Sequence, residues 1–226
     1  MYNRIKRKLV FGVGINDADY VTQTKRKDGY SLICPIYKSW MGVMDRAFNP
    51  QRKQQNTCYA NTTVCEEWVK FSGFREWMLD QTFLDLTGAK LNLDKDILLK
   101  GNQVYCPDAC AFIPARINTL IVLNDRSRGE QPIGVFLHKE RNERPFRASV
   151  NGNKDDRIRS TYYDTAEEAH AWWQEMKAKV IREAVDLWKI DPVHNNSFRQ
   201  DVADALIARA DFLDRHRAEG IETKYL

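Results

Sequence analysis

No apolar run in this chain approaches the ~20 consecutive residues that a helix needs to cross a bilayer, so no membrane partner is expected. Repeats and low-complexity tracts are also missing, which sets aside solenoids and compositionally disordered chains. Neither sign of charge dominates: 35 Lys and Arg stand against 31 Asp and Glu, a net of +4. The opening MYNRIKRKLVFGVG is basic and then only briefly apolar, without the long apolar stretch and small-residue cleavage site of a signal peptide. A cytoplasmic protein is the default expectation, and disulfides are not expected there among the five cysteines.

What is present is enough for a packed core. The 226 residues are 43% hydrophobic and 11% aromatic, with six Trp. That length suits one large domain or two small ones. A polar, charged stretch with Gly and Pro at 124–132 reads as a linker. It divides the chain into 1–123, 124–190 and a helical extension over 191–226.

Over 37–47 and over 66–79, aromatic and apolar residues recur near helical spacing, which predicts two short helices. Residues 93–98, then Gly101-Asn102, then 104–105 read as two extended pieces around a turn, and 111–120 as a helix after them. The later half shows three short β-like runs at 133–138, 146–150 and 157–163, which suggests an antiparallel sheet. Thr165 and Glu168 then form a capping box. Behind it Ala169, Trp172, Trp173, Met176, Val180, Ala184 and Leu187 keep a helical stripe, read as core packed on the sheet. A last helix is expected over 197–218. The fold class expected is α+β: a mixed N-terminal domain, a three-stranded antiparallel sheet packed on a helix, and a C-terminal helix.

Charge is not spread evenly. Arg4, Lys6, Arg7 and Lys8 make an acid-free start, and 139–159 holds seven basic residues against four acids. Such a run is either a solvated surface or a phosphate-binding face. Cys58, Cys65, Cys106 and Cys110 offer four thiols that could clasp Zn²⁺, but the spacing is looser than a double C-x-x-C. Buried small apolar thiols are the favoured reading.

The order of residues in the later half resembles a DNA-binding domain of the ethylene-response-factor type. It rests on Ile133-Gly134-Val135, Phe146-Arg147-Ala148-Ser149-Val150 and Thr161-Tyr162-Tyr163-Asp164-Thr165-Ala166-Glu167-Glu168-Ala169, and covers about 133–184. Ser160-Thr161 departs from the family's Leu-Gly before the third-strand aromatic. The resemblance implies contact with double-stranded DNA through the outer sheet face. It implies His138, Lys139, Arg141, Arg144 and Arg147 on the first two strands and their turn, with Arg157 and Arg159 on the third. Arg on such a face can reach guanine bidentately or hold phosphates.

A second resemblance covers about 30–120. Tyr37, Trp40, Met44 and Arg46, then Thr63-Val64-Cys65-Glu66-Glu67-Trp68, then Phe71, Phe74 and Trp77 open it. Leu93-Asp94-Lys95-Asp96-Ile97-Leu98, Gly101-Asn102, Tyr105, Pro107, Cys110 and Asn118 complete it. In this order they are similar to HNH homing endonucleases of tailed phages, in which an Asp-His pair supplies a metal ligand and a base. Here the pair is Asp94-Lys95, and all four histidines lie outside the segment. The resemblance implies Asp94, Asp96 and Asn118 as ligands for Mg²⁺ or Mn²⁺, with Lys95 countering phosphate charge. The alternative is that the two carboxylates fix a turn and Lys95 pairs with one of them. Two functions follow: a metal-dependent DNA endonuclease, or a DNA-binding or host-interacting regulatory protein on the same scaffold without cleavage. If phage-encoded, either would work in the host cytoplasm.

Overall fold

The computed structural model describes residues 7–27, 29–121, 130–153 and 156–226, and mixes helices with small sheets in an α+β arrangement. Two compact units divide the chain: Met1–Phe83 with Leu93–Phe112, and Leu84–Asn92 with Ile113–Leu226. Most of the expected linker, together with Arg4, Lys6 and Lys154, lies outside the described residues.

In the first unit β1 (Gln23–Lys25) and β2 (Ser31–Ile33) form an antiparallel pair. Helix α1 (Pro35–Phe48) begins at Pro35, whose fixed φ and missing N–H suit a first turn. Helix α2 (Pro50–Gln55) follows, with the Asn49 side chain accepting from the Gln51 amide. After β3 (Thr63–Val64), the single helix expected over 66–79 is two: α3 (Glu66–Val69) and α4 (Phe71–Leu79). The cause is non-local. Ile15 donates its N–H to the Val69 carbonyl at 2.8 Å and accepts from the Phe71 amide at 2.9 Å. Those groups bracket Lys70, whose extended backbone interrupts the helix. Around this break pack Trp40, Met44, Trp68, Phe71, Phe74 and Met78, all fully buried. The Trp40 indole donates to the Trp68 carbonyl at 2.7 Å. Of the basic start, Arg7 donates to the carbonyls of Asn16, Ala18 and Tyr20, so it holds a loop in place.

Three short strands complete this part: β4 (Asn92–Asp94), β5 (Val104–Tyr105) and β6 (Ala111–Ile113). Strand β5 runs parallel to β3, and β4 pairs with β6. Of the extended piece expected over 93–98 only Leu93 and Asp94 are strand, the chain turning from Lys95 onward, while Val104–Tyr105 is extended as expected. The helix expected over 111–120 is shortened to α5 (Ala115–Leu120), because Ile113 precedes Pro114 and is steered away from helical φ and ψ.

The second unit is built on β7 (Val135–Leu137), β8 (Phe146–Asn151) and β9 (Arg157–Tyr163), antiparallel in that order. Helix α6 (Ala166–Ile190) starts at the expected capping box, with Thr165 Oγ1 accepting from the Glu168 amide and Glu168 Oε2 accepting from the Thr165 amide. Val135, Ala148 and Val150 of the sheet are buried, as are Ala169, Trp173, Val180 and Ala184 of the helix. Helix α7 (Gln200–Ala218), expected to start at 197, packs along α6 and buries Val202, Leu206, Ala210 and Leu213. Two polar residues of α6 are buried because the C-terminal segment satisfies them. The Thr223 amide donates to His170 Nε2 at 3.0 Å, and Gln174 Nε2 donates to the Ile221 carbonyl and Thr223 Oγ1. No described helix is long and apolar enough to cross a membrane.

Strand β7 starts two residues later than the run at 133–138 suggests, because Gly134 has φ +78°. A Cβ there would lie 1.9 Å from Trp173 Cδ1. Gly134→Ala combines an unfavourable φ with overpacking and is expected to destabilise by about 2–4 kcal/mol. Gly88→Ala, at φ +83° with open space, tests conformation alone and should lose only about 1 kcal/mol. Urea unfolding of the two variants checks this, and equal losses would contradict the Trp173 contact.

Candidate functional site

Side chains alternate across a strand, so burial of one sheet face on α6 leaves the other exposed. Register assigns the residues. Asn151 lies opposite Arg157 and Ser149 opposite Arg159, which puts both arginines on the face away from buried Val150 and half-buried Ile158. Continued alternation would send Tyr162 inward. It does not, because the pairing shifts between Arg147 and Ser149: Arg147 lies opposite Tyr162, so Ser160 and Thr161 together oppose Ala148. This is a β-bulge. Ser160 sustains it, its buried Oγ accepting from the Ala148 amide at 2.9 Å. The departure at Ser160-Thr161 is therefore the device that brings Tyr162 onto the same face as Arg147, Arg157 and Arg159.

Tyr162 is the centre of that face. The Arg141 guanidinium lies 4.0 Å from its ring centroid and that of Arg147 5.0 Å, while His138 meets it edge-on at 5.2 Å. Arg147 also donates through Nε to the Ser160 carbonyl at 3.0 Å. Arg157 lies 5.9 Å over the exposed Phe136 ring. Stacking on a ring limits the rotamers of a long side chain while leaving its N–H donors outward. Lys139 is exposed on the turn after β7. Arg144 has φ +48° on the same connection and pairs at 3.6 Å with Asp164, so its charge is shared with an acid. Tyr162 and Phe136 were not singled out from sequence. Aromatics flanking the basic run at either end were the available signal, but the bulge that aims Tyr162 is not visible there.

The second candidate cluster lies after β4. Asp94 Oδ1 accepts from the amides of Asp96 at 2.9 Å and Ile97 at 2.7 Å, which ends the strand in a tight turn. Lys95 is only 6% exposed, and its ammonium reaches Asp96 Oδ2 at 3.1 Å and the Asn102 carbonyl at 2.9 Å. The Asn102 side chain closes the loop, donating to the carbonyls of Lys95 and Val104. Thus Asp94, Lys95 and Asp96 are brought together. Asn118 belongs to the other unit, on α5, where its amide bonds the Pro114 carbonyl. As a fit for Mg²⁺ or Mn²⁺ the turn is poor: one oxygen of each carboxylate is committed, and an ammonium already sits beside Asp96.

The cysteines divide similarly. Cys65 follows β3 and its amide donates to the Tyr105 carbonyl, while the Cys110 amide donates to the Cys106 carbonyl. Burial pushes the thiols of Cys65 and Cys110 up, with Cys106 adding to both. Cys58 is exposed on a separate turn and donates to Asn56 Oδ1. Among the described residues, no group of three or more His, Cys, Asp or Glu is arranged to hold a metal ion. Comparison with protein-family models, curated proteins and solved structures finds no match for this chain.

Burial, and then the like charge of Asp96, raises the Asp94 carboxyl from 3.8 to about 6. A folded-state value above the unfolded one means that the folded chain holds the extra proton between those limits. The contribution is present below about pH 4 and is lost as pH rises through about 6. Asp94→Asn keeps the Oδ1 acceptor and cannot ionise. Its stability relative to wild type should therefore rise by on the order of 1–3 kcal/mol between pH 4 and pH 8. Urea midpoints at the two ends check this, and a difference independent of pH would show that the carboxyl is not strained by ionisation.

Proposed function

We propose that this protein binds double-stranded DNA through the outer face of β7–β9. The observation that carries the reading is the bulge at Ser160-Thr161, which gathers Tyr162 with Arg147, Arg157 and Arg159 on one exposed face beside His138 and Arg141. Neighbouring strands lie about 4.8 Å apart, so two or three of them match a major groove about 12 Å wide. Arginines held over rings present their donors to guanine edges or phosphates with less rotamer entropy left to lose. Exposed Lys139 and Arg159 add phosphate-neutralising charge at the margin. The reading is of binding without cleavage, because Asp94, Lys95 and Asp96 are engaged in holding their own turn.

Arg157→Ala with Arg159→Ala removes two exposed cations and leaves the inner face untouched. Anisotropy titration of a labelled duplex should show about ten-fold weaker binding, on the order of 1–2 kcal/mol. The slope of log affinity against log salt should become shallower by about two. Unchanged affinity and slope in a folded double variant would overturn this face as the contact surface.

A further inference from the structure

The second unit contains a groove whose rim shares Phe136, Lys139 and Arg157 with the outer sheet face and whose interior lies beyond it. It has a volume of about 1390 Å³ and runs between α5, β7 and α6. Leu120, Ile133, Val150 and Trp173 give it apolar walls, and Arg116, Glu130, Asp156 and Arg157 add charged groups to its lining. Two polar side chains in its lining are left in an unusual state. Lys177 is 8% exposed, and desolvation by burial lowers its ammonium to about 8. Asn153 donates through Nδ2 to the Val180 carbonyl at 3.0 Å, yet its buried Oδ1 has no hydrogen-bond partner. A desolvated cation and an orphan acceptor are both destabilising unless something else satisfies them. Folding alone supplies no reason to keep them together in one groove. A methionine at 177 would fill the same space without the desolvation penalty.

We propose that this groove binds a small organic anion: an apolar body whose anionic oxygen headgroup sits on Lys177, with a hydrogen-bond donor that satisfies Asn153 Oδ1. The chemistry follows from the lining. An ammonium withdrawn from bulk water attracts an oxyanion more strongly than it would in water. The apolar walls reward a hydrophobic body, and a few convergent polar groups fix its orientation, as in ligand sites generally. Phe136, Lys139 and Arg157 border both the groove and the outer sheet face, but neither Lys177 nor Asn153 lies on that face, so variants of these two separate this inference from the DNA reading.

Calorimetric titration of the full chain tests it with 4-hydroxyphenylacetate, with 4-hydroxyphenyl phosphate as the phosphate arm and 4-hydroxyphenylacetamide as the neutral control. Saturable one-site binding of at least one anion is expected, at least ten-fold tighter than the neutral amide. The stronger anion identifies the headgroup as carboxylate or phosphate. Lys177→Met should weaken anion binding at least ten-fold while keeping wild-type duplex affinity and a thermal midpoint no lower than wild type. Failure of wild type to bind either anion, equal binding of the neutral amide, or full retention of anion affinity in folded Lys177→Met would each overturn the proposal.

Discussion

One constraint organises the second unit: a three-stranded sheet has one face to give to a helix, and α6 takes it. The fit is close enough that only a glycine is accommodated at 134, against the Trp173 indole. Once Val135, Ala148 and Val150 are committed inward, parity along the strands dictates everything that faces outward. The bulge then alters that parity at one point. Ser160 supplies the acceptor that the Ala148 amide would otherwise lack, so the irregularity leaves no buried donor unpaired. A local hydrogen bond thus decides whether Tyr162 belongs to the core or to the arginine-bearing face.

The elements whose signals are local were legible in the sequence. Thr165 and Glu168 are three residues apart and cap each other, and Ala169, Trp173, Val180 and Ala184 of the stripe behind them are buried, while Trp172, Met176 and Leu187 are half-buried. The three strand segments were visible for the same reason. What was hidden depends on distant partners. Nothing near Lys70 reveals that Ile15 bonds on both sides of it and divides α3 from α4. Nothing near Tyr105 reveals a parallel partner in Val64. Lys177 was not recognised as buried, since a lysine beside an apolar stripe ordinarily extends its ammonium to water.

The candidate sites were legible to different degrees. All the basic residues expected on the sheet are described, but they are not equivalent. Arg147 is tied to the Ser160 carbonyl, Arg144 to Asp164, and Arg157 and Arg159 project from the third strand. Around Asp94 the residue types suggested metal chemistry, and both the ligand role and the turn-forming role use the same carboxylate oxygens. Sequence cannot separate these, because an acceptor that bonds two backbone amides and one that bonds a cation look alike until the amides are placed. The burial of Lys95 against Asp96 and Asn102 gives the turn its own internal counter-charge.

The most direct measurement of the central claim is photo-crosslinking of the intact chain to a duplex carrying halogenated pyrimidines, with crosslinked residues located by mass spectrometry. The account predicts crosslinks concentrated on Phe136, His138 and Tyr162, the aromatic residues of the outer sheet face, and their loss in excess competing duplex. Crosslinks confined to the α6–α7 surface or to the Met1–Phe83 unit would contradict it.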